Sequence, residues 1–124
     1  MKREIKLGFN SEQKLFRAYV ELLQPLFKLR SREAEVFSQL LYYNYLKKDI
    51  VNLTDRFELI FSSKNKKIIM SNLSIKDSIL QNTLSVLRKK NLIVNNEVPT
   101  KYLVYPTSNT LELVFKLKTD GIND

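Results

Sequence analysis

The stretch LSIKDSILQNTLSVLRKKNLIV, residues 73–94, carries two patterns at once. At 100° per residue, Leu80, Leu84 and Leu87 fall within about 60° of one another, with Thr83 and Asn91 on the same side, which is the spacing of a helix that closes a core. Opposite them lie Ser78, Asn82, Ser85 and Lys89, at steps of four, three and four, flanked by Gln81 and Arg88. All of these can hydrogen-bond and none is acidic. Asp77 is expected to project elsewhere, near the helix N-terminus where the helix dipole favours it. Solvated helix faces ordinarily mix charge signs, so the spacing predicts a helix from about 77 to 90 whose outer face suits phosphates and base edges. Asn and Gln match adenine, Arg and Lys match guanine, and Ser takes either.

Charge is concentrated in the same region. The 124 residues hold 21 Lys and Arg against 13 Asp and Glu, a net charge of +8, and a pI near 9.7 favours a polyanionic partner. Residues 64–91 contribute seven basic side chains (Lys64, Lys66, Lys67, Lys76, Arg88, Lys89, Lys90) against Asp77 alone. Residues 31–63 and 92–124 are each close to neutral.

Composition removes other classes of function. The length is that of one domain, and 44% hydrophobic with 10% aromatic residues suffices for a core. No apolar run approaches the roughly 20 residues that cross a bilayer, and MKREIKLGF lacks the apolar region of a secretory signal, so a cytoplasmic protein is expected. Without Cys or His there is no disulfide, no ordinary zinc site and no imidazole base. The tyrosines lack the set of cationic catalytic residues that a tyrosine nucleophile requires, so neither an enzyme nor a cofactor is expected. Asp55 and Glu58, three residues apart, read as a solvated face rather than a metal site.

Outward from the central stretch, the remaining elements follow from spacing. NSEQKLFRAYVELLQPLF begins at an N-cap, Asn10 or Ser11, and places Leu15, Tyr19, Leu22 and Leu23 on one stripe, which serves equally as a covering face or as a homodimer interface. SREAEVFSQLLYYNYLKKD is a core helix capped by Ser31, with Phe37, Leu40, Leu41 and Tyr45 inward and Lys47 and Lys48 at its negative end. NLTDRFELIFSS fits a short helix or a strand, since Phe57, Leu59 and Phe61 alternate while Thr54 and Asp55 suit a helix start. SKNKKIIMSNL is a short helix capped by Ser62 or Ser63. NLIV, the turn NNEVPT and KYLVY read as a β-hairpin, and LELVFKLK, 111–118, as a half-buried strand with Leu111, Leu113, Phe115 and Leu117 on one side.

From Ser31 to Tyr105 this order resembles the winged helix-turn-helix family, including MarR-like regulators and the small winged-helix proteins of phages and plasmids. The likeness is carried by LRSREAEVFSQLL, LSIKDSILQNTLSVLRKKNLI and KYLVYP. Ser74 stands where the family usually has Gly, and Lys76 where it has a Ser or Thr cap, so Asp77 or Ser74 is expected to cap instead. The resemblance implies an α+β, mainly α, single domain: an N-terminal helical extension (1–30), a winged-helix core (31–105) and a C-terminal strand and tail (106–124). It implies that helix 77–90 enters the major groove of double-stranded DNA. Ser78, Gln81, Asn82 and Ser85 would face bases, Lys89 the backbone and Arg88 either; Lys64, Lys66, Lys67 and Lys76 would meet phosphates, and Lys101 would be the single cation of a nearly neutral wing. A transcriptional regulator or replication accessory factor follows, in host cytoplasm if phage-encoded. The rival expectation is a protein-interaction or virion-assembly module on the same scaffold.

Overall fold

The computed structural model describes residues 4–8, 12–106 and 110–114, with side chains throughout 12–106. Its helices are α1 (Glu12–Leu22), α2 (Gln24–Phe27), α3 (Ser31–Leu46), α4 (Leu53–Ile60), α5 (Ser63–Leu73) and α6 (Asp77–Lys89), followed by a 3-10 turn, Thr100–Tyr102. Two short strands, β1 (Glu4–Gly8) and β2 (Thr110–Val114), pair antiparallel with one another, Glu4 opposite Val114 and Gly8 opposite Thr110. The caps expected at Asn10 or Ser11, and residues 115–118 of the expected C-terminal strand, lie outside the described residues.

The expected α+β winged architecture is corrected. Residues 12–106 form a helical body in which no strand occurs, so the winged hairpin is absent from it; at the C-terminus Thr110–Val114 pairs with β1 and forms no sheet with that body. Where the hairpin was expected, Asn95 and Asn96 both take positive φ, 54° and 59°, and make a tight turn. Val94 N–H donates to the Glu97 carbonyl at 2.8 Å and Glu97 N–H returns to Val94 at 3.1 Å. Pairing stops at this single bridge. Pro99 has no N–H to continue a ladder, and the chain coils at once into the 3-10 turn. Thr54 Oγ1 donates to the Glu97 carboxylate at 2.9 Å and ties the turn to α4.

α3 is the centre of the body. Ala34, Val36, Phe37, Leu40, Leu41, Tyr43 and Asn44 are all buried, so the helix is covered on most of its circumference. Ser31 is its first helical residue rather than its cap. The cap is made from inside: the Glu33 carboxylate reaches back to accept from Arg30 N–H at 3.0 Å. On one side α1 buries Leu15, Phe16, Tyr19 and Val20, on another α6 buries Leu80, Leu84 and Leu87. Phe27, Phe37 and Tyr102 pack edge to face at 5.2–6.3 Å and hold the 3-10 turn on the core. The expected stripe is kept, with Tyr45 half-buried at its edge.

Residues 53–60 resolve as a helix because Leu53, Phe57 and Ile60 recur at steps of four and three and turn inward. Asn52 caps it, its side chain accepting from Asp55 N–H at 3.0 Å. α5 starts on Ser62, one of the two expected caps.

Two polar groupings bind the helices across long sequence separations. Asn72 Nδ2 of α5 donates to Gln39 Oε1 and Tyr43 OH of α3 at 3.0 and 2.9 Å, and Gln39 Nε2 donates to Gln13 Oε1 of α1 at 2.9 Å. Arg56 is 5% exposed and has no carboxylate within ion-pair distance among the described residues. It is satisfied by two carbonyls just past the end of α3 and by two side chains: Nε donates to Ile50 O, Nη2 to Lys48 O, and Nη1 to Asn44 Oδ1 of α3 and to Tyr105 OH. The guanidinium thus meets the negative end of the α3 dipole and spends four of its five donors. Asn44 Nδ2 is left buried without a partner.

The α5–α6 connection is a Schellman motif. Ser74 sits at φ 54°, ψ 49°; its N–H bonds to Ser71 O and Ile75 N–H to Met70 O, at 3.3 and 3.0 Å. Gly takes this left-handed conformation freely, whereas Ser74 holds it at a steric cost. Ser74→Gly is expected to stabilise the protein by about 0.5–1 kcal/mol in urea unfolding. Arg56→Ala removes a cation whose oxygen partners stay buried, and is expected to lower stability by about 2–4 kcal/mol in the same measurement, against about 1 for Tyr105→Phe.

Candidate nucleic-acid interface

α6 starts at Asp77, in the register its leucines require. Lys76 is its N-cap and makes no side-chain cap bond, which corrects the expectation that Asp77 or Ser74 caps; the first turn closes through Leu80 N–H to Lys76 O at 3.1 Å. Asp77 contributes through the dipole alone. Its carboxylate is not remote from the outer face, as expected, but touches its edge: Gln81 Nε2 donates to Asp77 Oδ1 at 3.5 Å. At the other end a second Schellman motif forms, with Asn91 at φ 62° and Leu92 N–H bonded to Leu87 O at 2.9 Å. Asn91 is therefore exposed past the helix, not on its core side.

Ser78, Gln81, Asn82, Arg88 and Lys89 are exposed and Ser85 is half-buried, so the outer face exists as a surface about 120° wide. Thr83 is buried and donates to Ile79 O at 2.7 Å. Ile79 is partly exposed at the border of the polar face, with half-buried Val86 about two turns beyond on the same side. The pair lies between the leucine stripe and the polar face, so a division of the helix into core and polar sides leaves it out. Apolar contacts at such an edge suit a thymine methyl.

Electrostatics separate two sides of the body. Arg17 pairs with Glu21 at 2.8 Å and Glu35 at 3.4 Å, and Arg32 with Glu35 at 2.8 Å, so the charges of α1 and α3 largely neutralise each other. Among the described residues Lys66, Lys67, Lys76, Arg88 and Lys89 form no ion pair, and all but half-buried Lys66 are exposed. Lys90 is withdrawn from this group: its Nζ donates to Lys28 O at 2.7 Å and to Glu33 Oε1 at 3.2 Å, pinning the end of α6 to the start of α3.

Two expected contacts are not brought to α6. Lys64 lies about 160° around α5 from Lys66 and lines a groove with Lys47, Leu59 and Ile68. Lys101 is on the 3-10 turn, its Nζ 5.2 Å from the Tyr102 ring, not on a wing. Asp55 and Glu58 are exposed, and among the described residues no group of three potential metal ligands occurs. No helix among these residues is long and apolar enough to cross a membrane.

No family model matches the chain, and neither the curated proteins nor the solved structures contain a match to it.

Glu33 couples the pinned end of α6 to pH. Burial pushes its carboxyl up, but the Arg30 N–H and the Lys90 ammonium outweigh that and hold it below its ordinary value of 4.5. Because the folded-state value is the lower one, the stability it contributes is whole above about pH 4.5 and is lost as pH falls from there through the folded value. Glu33→Gln is expected to flatten the decline of melting temperature with acidity below pH 4.5, with little change in slope above it.

Proposed function

We propose that the chain binds double-stranded DNA and reads base edges with α6, acting as a transcriptional regulator or a replication accessory factor. The observation that carries this reading is the hydrogen-bonding outer face of α6, together with cations on α5 and α6 that make no ion pair among the described residues, while the acids of α1 and α3 neutralise their own neighbours. Asn82, Ser78 and Ser85 are the base readers, with Arg88 at the edge of the face. Gln81 is a weaker reader, since Asp77 competes for its amide. Lys66, Lys67, Lys76 and Lys89 meet the phosphates. Recognition rests on one helix, without an element reaching the minor groove.

The apolar stripe of α1 is used inside the chain, where Leu15 and Tyr19 are buried. A homodimer through the N-terminal helices therefore relies on the exposed Leu22 and Leu26 instead.

With four phosphate-facing cations, the log–log dependence of duplex affinity on salt is expected to have a slope of about −3.6; a slope near zero overturns the reading. On a site selected from random duplexes, Asn82→Ala is expected to cost about 1–3 kcal/mol and relax specificity, whereas Lys67→Ala weakens selected and random duplexes alike.

A further inference from the structure

Where the end of α3 meets α4 and the first turns of α5, the surface is cut by a groove of about 210 Å³ lined by Lys47, Leu59, Ser62, Lys64, Asn65 and Ile68. Its apolar part is Leu59, 47% exposed, and Ile68, 40% exposed. Neither is needed to hold its helix on the core, since α4 buries Phe57 and Ile60 and α5 buries Ile69. The polar side chains of the lining are already committed. Ser62 Oγ accepts from Asn65 N–H and donates to Leu59 O, and Asn65 Nδ2 donates to Ile60 O. What remains for a partner is two apolar side chains and two ammonium groups, Lys47 and Lys64, with no carboxylate in the lining and no ion pair on either lysine among the described residues.

That combination selects one occupant. A nucleic-acid backbone would satisfy the lysines but leave Leu59 and Ile68 facing sugar and phosphate. A second copy of a chain with net charge +8 would bring like charge to a cationic rim. We propose that the groove is the docking site for an acidic amphipathic segment of a partner protein, which seats an apolar side chain against Leu59 and Ile68 and sets its carboxylates on Lys47 and Lys64. The lining shares no residue with the DNA-reading face, although Lys67 lies about 60° around α5 from Lys64, and the site does not depend on that assignment.

The test is fluorescence anisotropy with the full chain and a labelled synthetic peptide carrying Leu and Phe at helical spacing among Asp and Glu, beside a control peptide with Ser for each Leu and Phe. Saturable binding of the first, with the control at least tenfold weaker, is the expected result. Leu59→Ser with Ile68→Ser should weaken the peptide at least tenfold with an unchanged far-ultraviolet circular dichroism spectrum. Lys47→Gln with Lys64→Gln, which alters only lysine side chains, should weaken it several-fold and lessen its salt dependence, while Asn82→Ala leaves it unchanged. Equal binding of both peptides, undiminished binding by either double variant, displacement of the peptide by a short duplex in proportion to duplex affinity, or sedimentation as a dimer that excludes the peptide would each overturn the proposal.

Discussion

The burial of α3 is the constraint from which the rest of the structure follows. A helix covered around most of its circumference has no solvent side on which to place polar groups, so its polar residues must find partners among the elements that cover it. Gln39 and Tyr43 do so through Gln13 and Asn72, which sets α1 and α5 against α3 at fixed positions. The carbonyls just past its C-terminus do so through Arg56, which sets α4. The carboxylate of its first turn does so through Lys90, which sets the end of α6. α6 is thus held at three levels: its leucines on α3, its first turn by the Schellman motif at Ser74, and its last by Lys90.

Partner selection also shapes the surface potential. Three of the cations, Arg17, Arg32 and Lys90, are consumed by Glu21, Glu33 and Glu35. Exposed pairs of this kind contribute little to stability. Their consequence is that excess positive charge is left on α5 and α6 and on Lys47 and Lys48 past the end of α3, where no ion pair forms among the described residues. Buried Arg56 adds to the net charge but not to this surface.

The turn at residues 94–97 shows how one residue redirects a segment. NNEV suits a two-residue hairpin turn and makes one, but Pro99 ends the pairing after a single bridge, and Tyr102 then draws the chain back against Phe27 and Phe37. The apolar runs NLIV and KYLVY reflect burial of Leu92 and Ile93, and partial burial of Tyr102, Leu103 and Val104, against the helical core rather than strand pairing. The same signal, apolar residues in short runs, arises from either cause.

The sequence by itself determined the helices whose apolar residues recur at three and four, the caps at Ser62 and the two sides of α6, because these depend on neighbours within a turn or two of chain. It also located the excess charge. Only the tertiary structure decided that the hairpin ends at one bridge, that Lys64 faces a groove, that Arg56 turns to Tyr105 and that Lys90 is spent on Glu33. The physical reason is that each of these is settled by competition among partners brought together by packing. Lys90 and Glu33 are 57 residues apart, and Arg56 and Tyr105 are 49 apart; no local period records such a choice.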